Sequence, residues 1–126
     1  MIHLDTSVLI DAFTGPRRSA GPLRRLVEEG ERIAVSTIVL YEWLRGPRQP
    51  DELQTQEALF PAAGAVSFGP SEAGRAAELY RALPRARGRE LDLAVAACAL
   101  VHAASLWTLN PEDFRDIPDL RLHRPA

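Results

Sequence analysis

The sequence has 126 residues, of which 46% are apolar and 25% are charged, and its formal net charge is −2. These values are typical of one soluble globular domain over residues 1–126, and they exclude a protein that coats nucleic acid by bulk positive charge. No apolar run reaches the roughly 20 residues of a membrane span, and no basic segment precedes the short first run, so we expect no signal peptide and predict a cytoplasmic protein.

Short apolar strands alternate with helices along the chain. The first strand is predicted to end at Leu4, and four more are predicted over residues 33–37, 65–68, 105–109 and 120–122. Helices are predicted over residues 7–13, 22–29, 38–45, 51–59, 70–83 and 90–104. This alternation predicts an α/β fold, a three-layer sandwich whose central parallel sheet has about five strands joined by right-handed crossovers.

Three acidic residues stand in apolar surroundings. Asp5 ends the first strand, Glu42 interrupts an apolar helix, and Asp92 lies near the start of a helix that is apolar on nearly every face. Burying a carboxylate is costly unless a cation or hydrogen bonds compensate. Ligands bind at the carboxyl edge of parallel sheets, so we expect the acids to converge there around magnesium or manganese, which prefer oxygen ligands.

Each acid also has a simpler structural explanation. Asp5 precedes a helix and could contribute to its cap, while Asp92 lies in a first helical turn, where the helix dipole favours an acid. Glu42 lies in mid-helix, and Arg45 three residues later offers it an ion pair. Taken singly, these residues do not decide between a structural part and a metal site.

A polar loop follows the strand predicted over residues 105–109. If that strand is parallel to the first, the loop emerges at the same edge of the sheet as Asp5. Asn110 and Asp113 of this loop are therefore further candidates for the site.

The ordered set of these motifs resembles the PIN-domain family, in particular the VapC toxins of bacterial type II toxin–antitoxin (VapBC) systems. The resemblance extends from residue 2 to about residue 122, without a large insertion. The motifs that carry it are Asp5-Thr6-Ser7, Glu42 within a helix, Glu90-Leu91-Asp92 opening an alanine-rich helix, and the segment Trp107 to Phe114.

The resemblance implies a PIN-like nuclease domain, a toxic endoribonuclease that hydrolyses RNA with a metal-activated water, using Mg²⁺ or, as a substitute, Mn²⁺. It assigns metal binding and catalysis to Asp5, Glu42 and Asp92, together with a fourth residue from the last loop. Many relatives carry aspartate at the position of Asn110. We favour Asp113 as the charged fourth residue, with Asn110 ordering the network through hydrogen bonds. Supporting residues in the same motifs are Thr6, Ser7 and, as an outer contact, Glu90.

An arginine-rich loop precedes Glu90. Its residues Arg85, Arg87 and Arg89 are candidate contacts to RNA phosphates beside the site. Most charged loops are simply solvated, so the sequence leaves both interpretations open.

The resemblance also implies partners. These are a VapB-like antitoxin whose tail crosses the active site, an RNA substrate, and a second copy of the chain in a homodimer, alone or within a toxin–antitoxin heterotetramer or larger assembly. Transfer RNA is favoured over ribosomal RNA as the substrate. The alternative function is a PIN-like module that has lost catalysis and binds only a partner. An aspartyl-phosphate phosphatase is a poor match, because Ser7 stands where that chemistry needs a second aspartate and the sequence has no lysine.

Overall fold

A parallel sheet lies at the centre of the computed structural model, which describes residues 1–125. Strand β1 (Ile2–Leu4) lies between β2 (Ile33–Ala34) and β3 (Ser105–Trp107), so the strand order is β2-β1-β3. Both pairings are parallel. Every residue of β1 is buried, as expected for a strand covered on both faces. The predicted α/β class is therefore confirmed.

Within residues 1–125 the sheet has three strands, whereas the alternation of elements predicted about five. The segment at 65–68 forms one parallel bridge between Val66 and Ser36, and the segment at 120–122 forms one between Leu122 and Leu106. Both segments lie at the edges of the sheet but pair with it at a single residue. On the first edge the cause is local, because the next helix begins at Thr37 and leaves little extended backbone to pair.

Each predicted helix is present, with ends shifted by a few residues. The helices of the described chain are α1 (Thr6–Phe13), α2 (Ala20–Glu28), α3 (Thr37–Arg45), α4 (Pro50–Leu59), α5 (Pro70–Ala82) and α6 (Glu90–Val101). Short 3-10 turns lie at Ala62–Gly64 and Pro111–Asp113. None of the helices in residues 1–125 has the length and apolar character that a bilayer span requires.

Helix α6 ends at Val101, earlier than the predicted end at residue 104. Ala103 adopts a left-handed φ of 52°, and the Ala104 N–H donates to the Ala99 carbonyl at 2.8 Å. This arrangement closes a helix, and hydrophobic periodicity does not reveal it, because the apolar Ala103 and Ala104 continue the apolar pattern of the helix.

The core joins α6 and α3 to the sheet. Residues 93–99 of α6 are all buried, which confirms the buried helix predicted there. Leu4, Trp43 and Leu106 are fully buried beside it. At the end of the sheet the Asp5 N–H donates to the Trp107 carbonyl at 2.9 Å, so the polar residues that follow β1 and β3 lie side by side.

Candidate active site

A cavity of 380 Å³ opens at the carboxyl edge of the sheet. It is bounded by the residues after β1, by α3, by the start of α6 and by the loop after β3. The three acids predicted to converge all line it. Its lining residues are Asp5, Thr6, Ser7, Ile10, Glu42, Arg45, Gly46, Asp92 and Asn110.

Asp5 is held in place by two hydroxyl groups. Its Oδ2 atom accepts hydrogen bonds from Ser7 Oγ at 2.9 Å and from Thr108 Oγ1 at 2.7 Å. The residue is 6% exposed. Although Asp5 is the N-cap residue of α1, its side chain makes no capping hydrogen bond. Helix capping therefore does not explain this carboxylate, which the fold buries and orients at the edge of the sheet instead.

Glu42 reaches the cavity from α3. Its Oε1 atom accepts a hydrogen bond of 2.7 Å from Thr6 Oγ1, and its Oε2 atom lies 3.6 Å from Arg45 Nη2. The ion pair that offered a structural explanation is thus present. Its length and the 52% exposure of the Arg45 side chain make it a weak source of stability. Glu42 is instead held near Asp5 by the hydrogen bond from Thr6, which follows Asp5 in the chain.

Asp92 lies in the first turn of α6 and has an unusual proton affinity. Burial, followed by the negative charges of Asp5, Asp113 and Glu42, raises its pKa to about 6, against the opposing effect of Arg89. A carboxyl group normally gains from the N-terminus of a helix. Here burial and neighbouring charges of the same sign outweigh that gain, so the cavity holds more negative charge than the chain neutralises.

The loop after β3 brings only part of its predicted residues to the cavity. Asn110 lines the wall, and its N–H donates to Thr108 Oγ1 at 3.0 Å. Asp113 is exposed and does not belong to the lining, yet its charge raises the pKa of Asp92. The loop therefore offers an amide at the wall and a carboxylate close by.

Arg89 connects this loop to the start of α6. Its guanidinium donates to both oxygens of Asp116 at 2.7 and 2.8 Å and to the main-chain carbonyl of Asp113 at 2.8 Å. Because these bonds occupy one side chain with two points of the loop, Arg89 fixes the loop relative to Asp92. These bonds give Arg89 a structural part, and the phosphate contact that the sequence leaves open for it stays a prediction.

The other predicted residues of this segment lie outside the cavity. Arg85 and Arg87 are exposed. Glu90 is exposed as well, and its Oε1 atom accepts a hydrogen bond from the Gly88 N–H at 3.1 Å. Glu90 thus makes a local turn contact, and the outer contact predicted for it stays a prediction.

Sequence reasoning missed Thr108 and the partnership of Arg89 with Asp116. Thr108 is one residue beyond β3 and contacts Asp5 across 103 positions of sequence. Asp116 lies 27 positions from Arg89. The only local signal for Thr108 is its place between a buried strand and Asn110, and no periodic pattern marks Asp116.

The donor atoms of the cavity fit a hard divalent cation. They are carboxylate, amide and hydroxyl oxygens. The raised pKa of Asp92 reflects first its burial and then the neighbouring negative charges, and a cation would neutralise those charges. Among residues 1–125, no group of three or more His, Cys, Asp or Glu side chains is by itself arranged to hold a metal ion. Magnesium commonly takes one or two carboxylates and keeps several waters, so the donor set suits a partly hydrated ion.

Known proteins resemble this chain in sequence and in fold. The family model described as PIN domain matches residues 2–120. Ribonuclease VapC19 of Mycobacterium tuberculosis is 36% identical over 121 residues, which cover 94% of this chain and 95% of the relative. A chain in the crystal structure of VapBC2 from Rickettsia felis bound to a DNA fragment from their promoter is 25% identical, with a TM-score of 0.75 and 98% of each chain covered. A chain of a toxin–antitoxin complex from Klebsiella pneumoniae is 27% identical, with a TM-score of 0.73, and the match covers 100% of this chain and 98% of that one. This chain therefore belongs to the PIN-domain family, and its similarity to VapC proteins extends over nearly its whole length.

Proposed function

We propose that this protein is the toxin of a toxin–antitoxin pair, an endoribonuclease that hydrolyses RNA phosphodiester bonds with Mg²⁺, for which Mn²⁺ can substitute. The observation that carries the proposal is that Asp5, Glu42 and Asp92, acids from three separate parts of the chain, line one cavity at the carboxyl edge of the sheet. The similarity to Ribonuclease VapC19 over most of both chains supports the ribonuclease activity.

Asp5 and Asp92 are the proposed principal ligands of the cation. When bound, the cation would lower the pKa of a water molecule and stabilise negative charge on the phosphate under attack. The Asp5 side chain is oriented for metal binding, since Ser7 and Thr108 both donate to Oδ2 and prevent the side chain from rotating. Oδ1 is then the oxygen that we assign to the cation.

Glu42 and Asp113 are proposed to orient the attacking water or to help bind a second cation. Thr6 holds Glu42 through its 2.7 Å hydrogen bond, and Arg89 holds the loop that carries Asp113. Asn110, on the wall of the cavity, would order the same network through its side-chain amide. Attack by water in line with the leaving oxygen would produce a 5′-phosphate and a 3′-hydroxyl, and it needs no side-chain nucleophile.

The proposed partners follow from the charge of the cavity and from the relatives. An acidic cleft attracts arginine, whose planar guanidinium pairs well with carboxylates, so an antitoxin tail that carries arginine would inhibit the enzyme. The structural relatives from Rickettsia felis and Klebsiella pneumoniae are toxin–antitoxin complexes, which supports a VapB-like partner. We further propose a homodimer, alone or within a heterotetramer or larger complex, that meets its transfer RNA substrate in the cytoplasm.

A partner-binding module without catalysis is the second candidate. It is favoured by the observation that, within residues 1–125, no group of three or more Asp, Glu, His or Cys side chains is already arranged to hold a metal ion. Isothermal titration with manganese separates the two functions. Binding that disappears in Asp5→Asn and Asp92→Asn supports the nuclease, and the absence of any binding that depends on these acids supports the module.

The experiment that tests the nuclease is cleavage of end-labelled total RNA by purified protein free of antitoxin, with magnesium, with manganese and with chelator. We expect discrete cuts that require the metal and vanish in Asp5→Asn and Asp92→Asn. Asp51→Asn is the matched control, because Asp51 is a largely exposed aspartate with a side-chain exposure of 70%. Cleavage that persists in both site variants would indicate a contaminating ribonuclease and contradict the proposed site.

A further inference from the structure

A second cavity lies directly beside the acidic one. Its volume is 370 Å³, within the range of cavities that bind small ligands. The segment 107–111 separates the two cavities. Thr108, Leu109 and Pro111 line the second cavity, while Asn110 lines the acidic one. Thr108 also donates to Asp5, so one short segment forms a wall between the proposed reaction centre and a second binding space.

The chemistry of this second cavity is opposite to that of the acidic one. Its apolar lining includes Leu109, Leu122 and Trp107, of which Trp107 is only 2% exposed, and its polar lining includes Arg115, His123 and Arg124. No acidic residue of the described chain contributes to the lining. The cavity thus combines an apolar surface with cationic groups, immediately next to a cavity that is rich in carboxylates.

The residues of this cavity are held by defined contacts. The main-chain N–H of His123 donates to the Leu106 carbonyl at 2.8 Å. The imidazole ring of His123 and the Trp107 ring meet edge to face, with 5.9 Å between ring centroids. Within residues 1–125, the buried Nε2 atom of His123 has no hydrogen-bond partner. Because this atom is enclosed, His123 serves as part of the cavity wall and is assigned no hydrogen bond to a ligand.

Leu109 and Arg115 are available to a ligand. Leu109 is 44% exposed, and its position is fixed because its N–H donates to Ser7 Oγ at 3.0 Å. Arg115 forms an ion pair of 2.7 Å with Glu112, but both side chains are more than half exposed. Exposed pairs of this kind contribute little stability, so a phosphate can take over the guanidinium at small cost.

From these contacts we infer that the second cavity binds a nucleotide of the single-stranded RNA substrate that neighbours the scissile phosphate. An RNA strand that has one phosphate at the acidic cavity and runs across the shared wall 107–111 places its next nucleotide at the second cavity. Unpaired bases bind on apolar and aromatic surfaces, and their phosphates bind arginine. The base would lie against Leu109 and Leu122, and the phosphate would lie between Arg115 and Arg124. This inference rests on the proposed ribonuclease function.

Binding in chelator tests the inference apart from catalysis. Fluorescence anisotropy would measure the affinity of a short, unstructured, labelled oligoribonucleotide for wild type and for the Arg115→Gln/Arg124→Gln double variant at several salt concentrations. We expect the double variant to bind at least about 10-fold more weakly and to show a salt dependence reduced by about two phosphate contacts. Arg81→Gln is the control, because Arg81 is an exposed arginine on α5 outside the cavity.

The apolar part is tested with Leu109→Ser. Because Leu109 is exposed, this variant should fold like wild type, which its thermal unfolding would verify. We expect it to weaken oligoribonucleotide binding without changing the salt dependence, and to alter the preferred cleavage sites on RNA. Equal affinities of wild type, the double arginine variant and Leu109→Ser would overturn the inference, as would a wild type that binds no RNA. Intact, variant-sensitive binding without metal-dependent cleavage would instead overturn the proposed ribonuclease function and leave this binding site standing.

Discussion

The replacement Asp92→Asn should stabilise the metal-free protein at neutral and alkaline pH. Burial and the charges of Asp5, Asp113 and Glu42 raise the pKa of Asp92 from its ordinary value of 3.8 to about 6. A raised carboxyl pKa means that the folded state binds the proton more tightly than the unfolded state. The stability that the protonated group contributes is complete below pH 3.8 and is lost as the pH rises through about 6. Asparagine keeps the shape of the side chain and avoids this loss.

The magnitude follows from the shift in pKa. A rise from 3.8 to about 6 corresponds to about 3 kcal/mol for the ionised group. Solvent screens the half-buried Asp92, so we expect a gain of about 1–2 kcal/mol in the free energy of unfolding of the variant above about pH 7. The gain should decrease steadily and disappear toward about pH 4, where wild-type Asp92 is protonated in the folded state.

Urea unfolding in the presence of chelator, repeated across this pH range, measures the difference between variant and wild type. Glu28→Gln is the control, because Glu28 is exposed on α2, and its effect should stay within about 0.5 kcal/mol at every pH. Addition of manganese should then stabilise wild type, because the ion binds the folded state, and should stabilise Asp92→Asn much less. A variant no more stable than wild type above pH 7, or a gain independent of pH, would refute the electrostatic reasoning.

Three further predictions concern contacts around the site. Thr108→Val, which removes a donor to Asp5, should weaken manganese binding about 10-fold or more; titration calorimetry measures this, and an unchanged affinity would show that the hydroxyl does not orient the ligand. Asp116→Asn should destabilise the protein by about 0.5–1 kcal/mol near pH 7. Since the hydrogen bond from Arg89 lowers the pKa of Asp116, this loss of stability should shrink in acid. A difference in the free energy of unfolding in urea that stays constant with pH would contradict this prediction. Glu72→Gln should lower the melting temperature near neutral pH, because hydrogen bonds from main-chain N–H groups at the start of its helix are the largest cause that lowers the pKa of Glu72. This contribution to stability is present above the unfolded pKa and is lost as the pH falls. Thermal melts in which the variant and wild type differ equally at pH 7 and pH 4 would exclude this origin.

Sequence patterns predicted the parts of the site that depend on local rules. Asp5 could be placed because a short apolar run must end at the carboxyl edge of a parallel sheet. Asp92 could be placed because a helix that is buried along residues 93–99 can tolerate an acid only at its start. The convergence of these residues with Glu42 then follows from the topology, and all three do line one cavity.

The contacts that escaped prediction are those between side chains that are distant in sequence. Composition groups Arg89 with Arg85 and Arg87, but its side chain is long enough to reach Asp116 and the Asp113 carbonyl. Composition does not reveal these contacts. The number of paired strands in the sheet could not be predicted for a related reason. A segment such as 65–68 has the composition of a strand, yet the number of residues that pair depends on where the neighbouring chain turns into a helix.

The most direct test of the proposed site measures bound manganese and RNA cleavage on the same samples. Electron paramagnetic resonance would quantify bound manganese while single-turnover cleavage is recorded at each metal concentration, for wild type and for Asp5→Asn. We predict that cleavage rises in proportion to the bound metal in wild type, and that Asp5→Asn loses both together. Cleavage without bound metal, or full metal binding and cleavage in Asp5→Asn, would contradict a catalytic site built on the carboxylates at this edge of the sheet.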